Sequence, residues 1–214
     1  MAVTGYKALN PDMSANYGHI RFELNKPYSV TGKVTMCENG FHFCRELEDI
    51  EGNYTIKTSR IFEIEASGDI VDGEDKSCAE TITLIKELSR EEIHDYFETN
   101  MDRILAKPDF YCRKALAAQG IALDRLLTDK DGRVRAAVAR QEYGLETLVT
   151  DPDWFVRKAV AEHGYSLHTL VNDPDWRVRT VVAGHGYGLE KLSKDNDTNV
   201  RYAVMQKLKE LQKK

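Results

Sequence analysis

A 22-residue register runs through the second half of this chain and limits what it can fold into. Val134-Arg135-Ala136-Ala137-Val138-Ala139 recurs as Val156-Arg157-Lys158-Ala159-Val160-Ala161 and as Val178-Arg179-Thr180-Val181-Val182-Ala183. It returns once more as Val200-Arg201-Tyr202-Ala203-Val204-Met205. Stepping back by the same interval reaches Cys112-Arg113-Lys114-Ala115-Leu116-Ala117, a degenerate first copy. Copies in unbroken register mean one supersecondary unit stacked in tandem.

Each unit reads as two helices. Val156, Ala159 and Val160 have helical spacing, and Asp153 stands where an N-cap belongs, behind Pro152. Gly120, Gly164 and Gly186 share a column at the helix end, where a left-handed residue closes the turn; Glu142 is the departure. A short second helix follows at Leu145–Val149, Leu167–Val171 and Leu189–Ser193, with Gly144, Ser166 or Gly188 as its expected N-cap. After Val200 the chain runs on as a lysine-rich capping helix.

The Val-Arg-x-x-Val-Ala core, the Leu167/Leu170 pair and the Asp-Pro-Asp turns at 151–153 and 173–175 resemble the leucine-rich repeat variant family. More distantly they resemble HEAT-type repeats. The resemblance covers about residues 107–208. It implies an all-helical solenoid with an extended binding face and no fixed catalytic residues.

An Asp precedes an Arg by four residues in every copy, from Asp109–Arg113 to Asp197–Arg201. That spacing lets the two pair at a helix start; the same arginine could instead reach the Asp of the neighbouring layer and build a ladder. Beside it runs a turn column containing Trp154 and Trp176, followed by one with Arg133, Phe155 and Arg177. Aromatics next to arginines are the side chains that anchor interfaces, so Trp154, Trp176, Arg177 and Arg133 are the candidate partner-binding residues. The competing expectation is an aromatic staple between layers. Tyr143, Tyr165 and Tyr187 form a column expected to bury its rings and expose its hydroxyls.

The first half is different in kind. Val3–Leu9, His19–Leu24, Tyr28–Met36, Tyr54–Ala66 and Thr81–Ile85 alternate β-branched or aromatic residues, as strands do. Asn10-Pro11-Asp12, Gly68-Asp69 and Asp72-Gly73 are turn signals. Ser89-Arg90-Glu91-Glu92 is a capping box opening a helix to about Leu105. The Tyr17-Gly18-His19 cluster is too small to assign. The fold expected is an α+β N-terminal domain of mainly short strands (1–90), a connecting helix (91–106), and an all-α solenoid of 22-residue two-helix repeats (107–214).

Cys37-Glu38-Asn39-Gly40-Phe41-His42-Phe43-Cys44 is the densest motif of this half. Cys37, His42 and Cys44 are zinc donors, yet six residues between the cysteines is not a knuckle spacing. Phe41 and Phe43 beside Cys44 read as a strand entering a core, and no metal site is assigned. Together with Gly5-Tyr6-Lys7-Ala8-Leu9, the motif resembles an uncharacterised domain of phage and prophage proteins, over about residues 4–88. Gly40-Phe41-His42-Phe43 leading to Asn53-Tyr54 is also similar to ADP-ribosyltransferases. That second resemblance implies an NAD site at Lys7, Gly40, Phe41 and His42, with Lys7 where the family carries Arg or His.

Charge separates the halves. Residues 1–106 hold 11 basic and 20 acidic side chains, a net of −9, whereas residues 107–214 hold 19 and 15, a net of +4. The acidic half repels a phosphate backbone and the basic half attracts one only mildly. No apolar run is long enough for a membrane span, and four cysteines without a leader segment suggest reduced thiols in a cytoplasm. The expected function is a non-enzymatic interaction protein of phage or prophage origin. It would grip a macromolecular partner, a host protein, through the repeat surface, with no catalytic residue and no cofactor. One alternative is an ADP-ribosyltransferase-like enzyme using NAD and targeted by its repeats; another is a nucleic-acid binder.

Overall fold

The computed structural model describes residues 2–15 and 20–213. The Tyr17-Gly18-His19 cluster, and with it the expected strand start at His19, lies outside them. Contacts divide the chain into two compact units, residues 1–121 and 122–214. An antiparallel sheet region comes first and a helical region follows. Among the described residues no helix is long and apolar enough to cross a membrane.

The first unit is built on β1 (Val3–Leu9), β2 (Pro27–Ser29), β3 (Phe41–Phe43), β4 (Arg60–Asp72) and β5 (Ser77–Glu87). Their order is β1-β4-β5-β2, with β3 also on β5, and every strand pair is antiparallel. A Tyr6–Cys44 bridge, with bonds of 2.7 and 2.8 Å, ties the end of β3 back to β1 and brings the ladder round on itself. That approach requires Gly5: a Cβ there would lie 2.6 Å from the Cys44 carbonyl oxygen and 2.7 Å from the Phe43 ring. Leu9, Phe22, Phe43, Phe62, Ile64 and Leu84 are among the buried residues that fill the interior.

Several expected strands are shorter or start later. Of the 28–36 stretch Tyr28 and Ser29 lie in β2 and Val30 N donates to the Glu80 carbonyl at 3.0 Å; beyond them Asn39 Nδ2 donates to the Thr31 and Lys33 carbonyls and folds the chain into a loop. Residues 54–59 are turned rather than extended, since the Tyr54 and Ser59 amides bond back to Ile50 and Thr55. Residues 20–24 make isolated bridges, not a strand. Gly68-Asp69 is no turn. β4 runs through it with a register irregularity between Ser67 and Ile70, a strand absorbing a glycine as a bulge.

The helix expected from Ser89 to Leu105 is two: α1 (Arg90–Thr99) and α2 (Met101–Leu105). The capping box forms as expected, Glu92 N to Ser89 Oγ at 3.1 Å and Ser89 N to Glu92 Oε2 at 2.8 Å. At Asn100 the side-chain amide donates to the Tyr96 carbonyl, a local bond that competes with continuing the helix. α3 (Phe110–Ala118), which carries the degenerate first copy, packs on the buried 3-10 helix Leu47–Gly52. The ties are ionic: Arg103 and Lys107 reach fully buried Glu48 at 2.7 and 2.9 Å, and Lys114 reaches buried Glu51 at 3.0 Å. Burial raises the Glu48 pKa, but bonds from Lys107 and Tyr96 and the Lys107 charge outweigh it and hold the carboxyl below its ordinary range. The first copy therefore groups with the sheet, beyond the 106/107 boundary expected from the sequence.

The second unit alternates four-residue helices with long ones. These are α4 (Leu123–Leu126), α5 (Gly132–Ala139), α6 (Leu145–Leu148), α7 (Trp154–Glu162), α8 (Leu167–Leu170), α9 (Trp176–Gly184), α10 (Leu189–Leu192) and α11 (Thr198–Leu211). The long helices begin 22 residues apart, and each packs on the next. Val134, Val156, Val178 and Val200 point into the core with Leu148, Leu170 and Leu192. Gly144, Ser166 and Gly188 stand at the N-caps of the short helices, as expected, but in left-handed backbone (φ 63°, 50° and 63°) and with no side-chain oxygen accepting from the helix; their carbonyls accept the first intrahelical bonds instead. At Gly188 there is also no room: a Cβ would come within 2.6 Å of Val171 Cγ2. Tyr143, Tyr165 and Tyr187 are exposed, not buried.

Candidate partner-binding site

The starts of the long helices are organised by aspartates doing two jobs. Asp131, Asp175 and Asp197 accept the backbone N–H two residues on, at 2.8–2.9 Å, and so cap α5, α9 and α11. Occupied in this way, they are not the arginines' main partners. The arginines reach forward instead. Arg135 grips Asp151 with Nε and Nη2 at 2.6 and 2.9 Å, Arg157 grips Asp173 at the same distances, and Arg179 grips Asp195 at 2.7 and 2.8 Å. Each Nη1 turns back to a carbonyl six residues earlier at 2.7 Å. Asp153 departs from its column: it makes no side-chain cap and accepts from Arg135 Nη2 at 2.9 Å. The arginine row is thus a ladder between successive long helices, and the within-helix i, i+4 pair is not what forms. These bonds hold the Arg135, Arg157 and Arg179 guanidinium pKa values above the ordinary range.

On this frame the first residues of α7 and α9 are brought side by side. Trp154 and Trp176 are each half-buried, and Arg177 lies against both rings, its Cζ 4.4 Å from the Trp154 centroid and 4.9 Å from that of Trp176. Both distances suit cation–π contact. Phe155 meets Trp154 edge-on, with centroids 5.7 Å apart. Arg177 Nη1 donates to Asp175 Oδ2 at 3.0 Å, which fixes the guanidinium's rotation. Its Nε and Nη2 make no hydrogen bond among the described residues, and the side chain is 42% exposed. The site is therefore a guanidinium laid on two indoles, with donors left over.

The structure thus brings Trp154, Trp176 and Arg177 together. Arg133, at the matching position of α5, holds its own cap, Asp131, through Nε and Nη2 at 2.9 and 2.7 Å. Asp175 was missed as a site residue, because its column reads as capping and only the fold shows one carboxylate doing both.

The other candidate cluster lies inside the first unit. Lys7 Nζ donates to the His42 carbonyl at 2.6 Å and sits 5.3 Å from the Phe22 ring centre. The side chain is buried, and burial lowers its pKa to about 8. His42 Nε2 accepts the Cys37 N–H at 3.0 Å, which puts the ring proton on Nδ1; burial, then Lys76 and Lys7, lower its pKa. Gly40 (φ +131°) lies where a Cβ would be 2.5 Å from Cys78 Sγ, and Phe41 is buried. The four residues named for a nucleotide cofactor are neighbours, but the amine faces the interior. All four cysteines are unpaired, and among the described residues no cluster of three His, Cys, Asp or Glu side chains is placed to hold a metal.

Residues 3–95 match the profile of a domain of unknown function, DUF7666. No curated protein and no solved structure matches the chain.

Proposed function

We propose that the helical region is a solenoid of 22-residue two-helix repeats, related to the leucine-rich repeat variant and HEAT types, and that it binds a protein partner. The binding residues are Trp154, Trp176 and Arg177, with Arg133 at the edge. The domain over residues 3–95 is of phage or prophage type, the partner is a host protein, and no chemistry is performed on it. The single observation that carries this reading is Arg177, held against two indoles by Asp175 with Nε and Nη2 uncommitted. A guanidinium so restrained loses little freedom when it meets a carboxylate, and large aromatic rings supply the apolar area beside it. The test is site-specific photo-crosslinking in cells of the native host. A benzophenone side chain at Trp176 should give a discrete protein adduct, and the same group at Lys158 should give none. Equal labelling at both positions contradicts the assignment.

A further inference from the structure

We propose a second docking surface on the outward face of α11, around Arg201, Tyr202, Met205 and Lys209, whose occupant is a protein segment that presents a carboxylate at a helix-capping turn. The equivalent face of each earlier long helix is covered. On α5, α7 and α9 the arginine is gripped by an Asp sixteen residues on, and its side chain is only 12–16% exposed. Four residues after each arginine comes Ala139, Ala161 or Ala183, every one fully buried by the next helix.

The same positions on α11 are bare. Arg201 is exposed, and although its Nη1 and Nη2 bond the Asp195 and Asn196 carbonyls and the Thr198 hydroxyl, its guanidinium forms no salt bridge among the described residues. Met205 stands in the alanine column at 42% exposure and Tyr202 at 58%. Arg201, Met205 and Lys209, each four residues from the last, share one side of the helix, with Tyr202 next to them. That side is cationic and apolar and carries no acid.

Charge complementarity selects the occupant. A second copy docked through this face would set Arg201 and Lys209 against themselves, which is unfavourable. An acidic capping turn followed by apolar residues meets both needs, since Asp151, Asp173 and Asp195 satisfy the earlier arginines in that form. Methionine in place of alanine is unbranched and adaptable, and it fits a partner seated further out than one more identical helix would be.

The experiment uses the full chain and a labelled synthetic peptide of residues 172–186, the capping turn and helix that cover α7. Saturable binding is expected, weakened tenfold or more by Arg201→Glu in the protein and equally by Asp173→Asn in the peptide. Met205→Glu, at an exposed position, should weaken it as well, so the inference stays open to refutation if the arginine variant folds poorly. Absence of binding, binding indifferent to these changes, or concentration-dependent self-association abolished by Arg201→Glu would each overturn it.

Discussion

Lys7 shows how far a single residue can depart from what its surroundings favour. It sits on a strand among Phe22, Cys44 and Cys78, and its amine has one bond, to the His42 carbonyl. Burial disfavours the charged form and brings the pKa from 10.5 to about 8. The sign follows from proton linkage. Between those values the unfolded chain binds a proton that the folded chain does not, so stability rises with pH through that window. Urea titrations at pH 7.5 and 10.5 should show wild type gaining on the order of 2–3 kcal/mol relative to Lys7→Met, with the variant's curve flatter. Parallel curves would mean the amine is solvated. Nothing in the sequence signalled this: Lys7 alternates with apolar residues as a surface strand residue would, and only the return of β3 onto β1 encloses it.

At the scale of elements, the ladder is the interaction with most at stake. Arg157 makes two bonds to Asp173, whose side chain is 2% exposed, and two more to carbonyls. Truncation to alanine strands a buried carboxylate and should cost about 3 kcal/mol. Lys158→Ala removes only a half-exposed pair with Glu162 and should cost about 0.5 kcal/mol or less. Equal melting temperatures would refute the ladder. The long helices were legible because one period repeats Val, Arg and Ala at fixed offsets, and each copy corroborates the others. The ladder's partner was only half legible. Asp153 lies four residues from Arg157 and Asp173 sixteen, and nothing short of helix stacking says which carboxylate is free to accept. In the sheet region the short strands were harder to read, because alternation in 28–36 and 54–59 is shared by loops pinned through Asn39 and Glu51. Trp154 and Trp176 were identifiable by type and column; their closure onto Arg177 was not.

At the scale of the whole molecule, α3 and Lys107 complete the first unit. Glu48 and Glu51 are buried acids whose cations include Lys107 and Lys114, both beyond residue 106. A fragment of residues 1–106 should therefore melt well below one of residues 1–121, by several kcal/mol of stability, because buried carboxylates lose their partners. Identical circular dichroism melts for the two fragments would return the boundary to 106. The second unit keeps its own column of buried valines and its own ladder.

Trp176 and Arg177, as proposed above, serve a partner more than they serve the fold. Fully burying an aromatic in a core makes its loss cost about 3–5 kcal/mol, but Trp176 is half-buried and rests against a solvent-facing guanidinium. The decisive measurement pairs a thermal melt with quantitative capture from native-host extract, using full-length wild type and Trp176→Ala. The expected outcome is a loss of stability of about 1–2 kcal/mol and at least a tenfold fall in one or more retained proteins. A variant that melts as a core mutant does, or one that retains the same proteins in the same amounts, would contradict it.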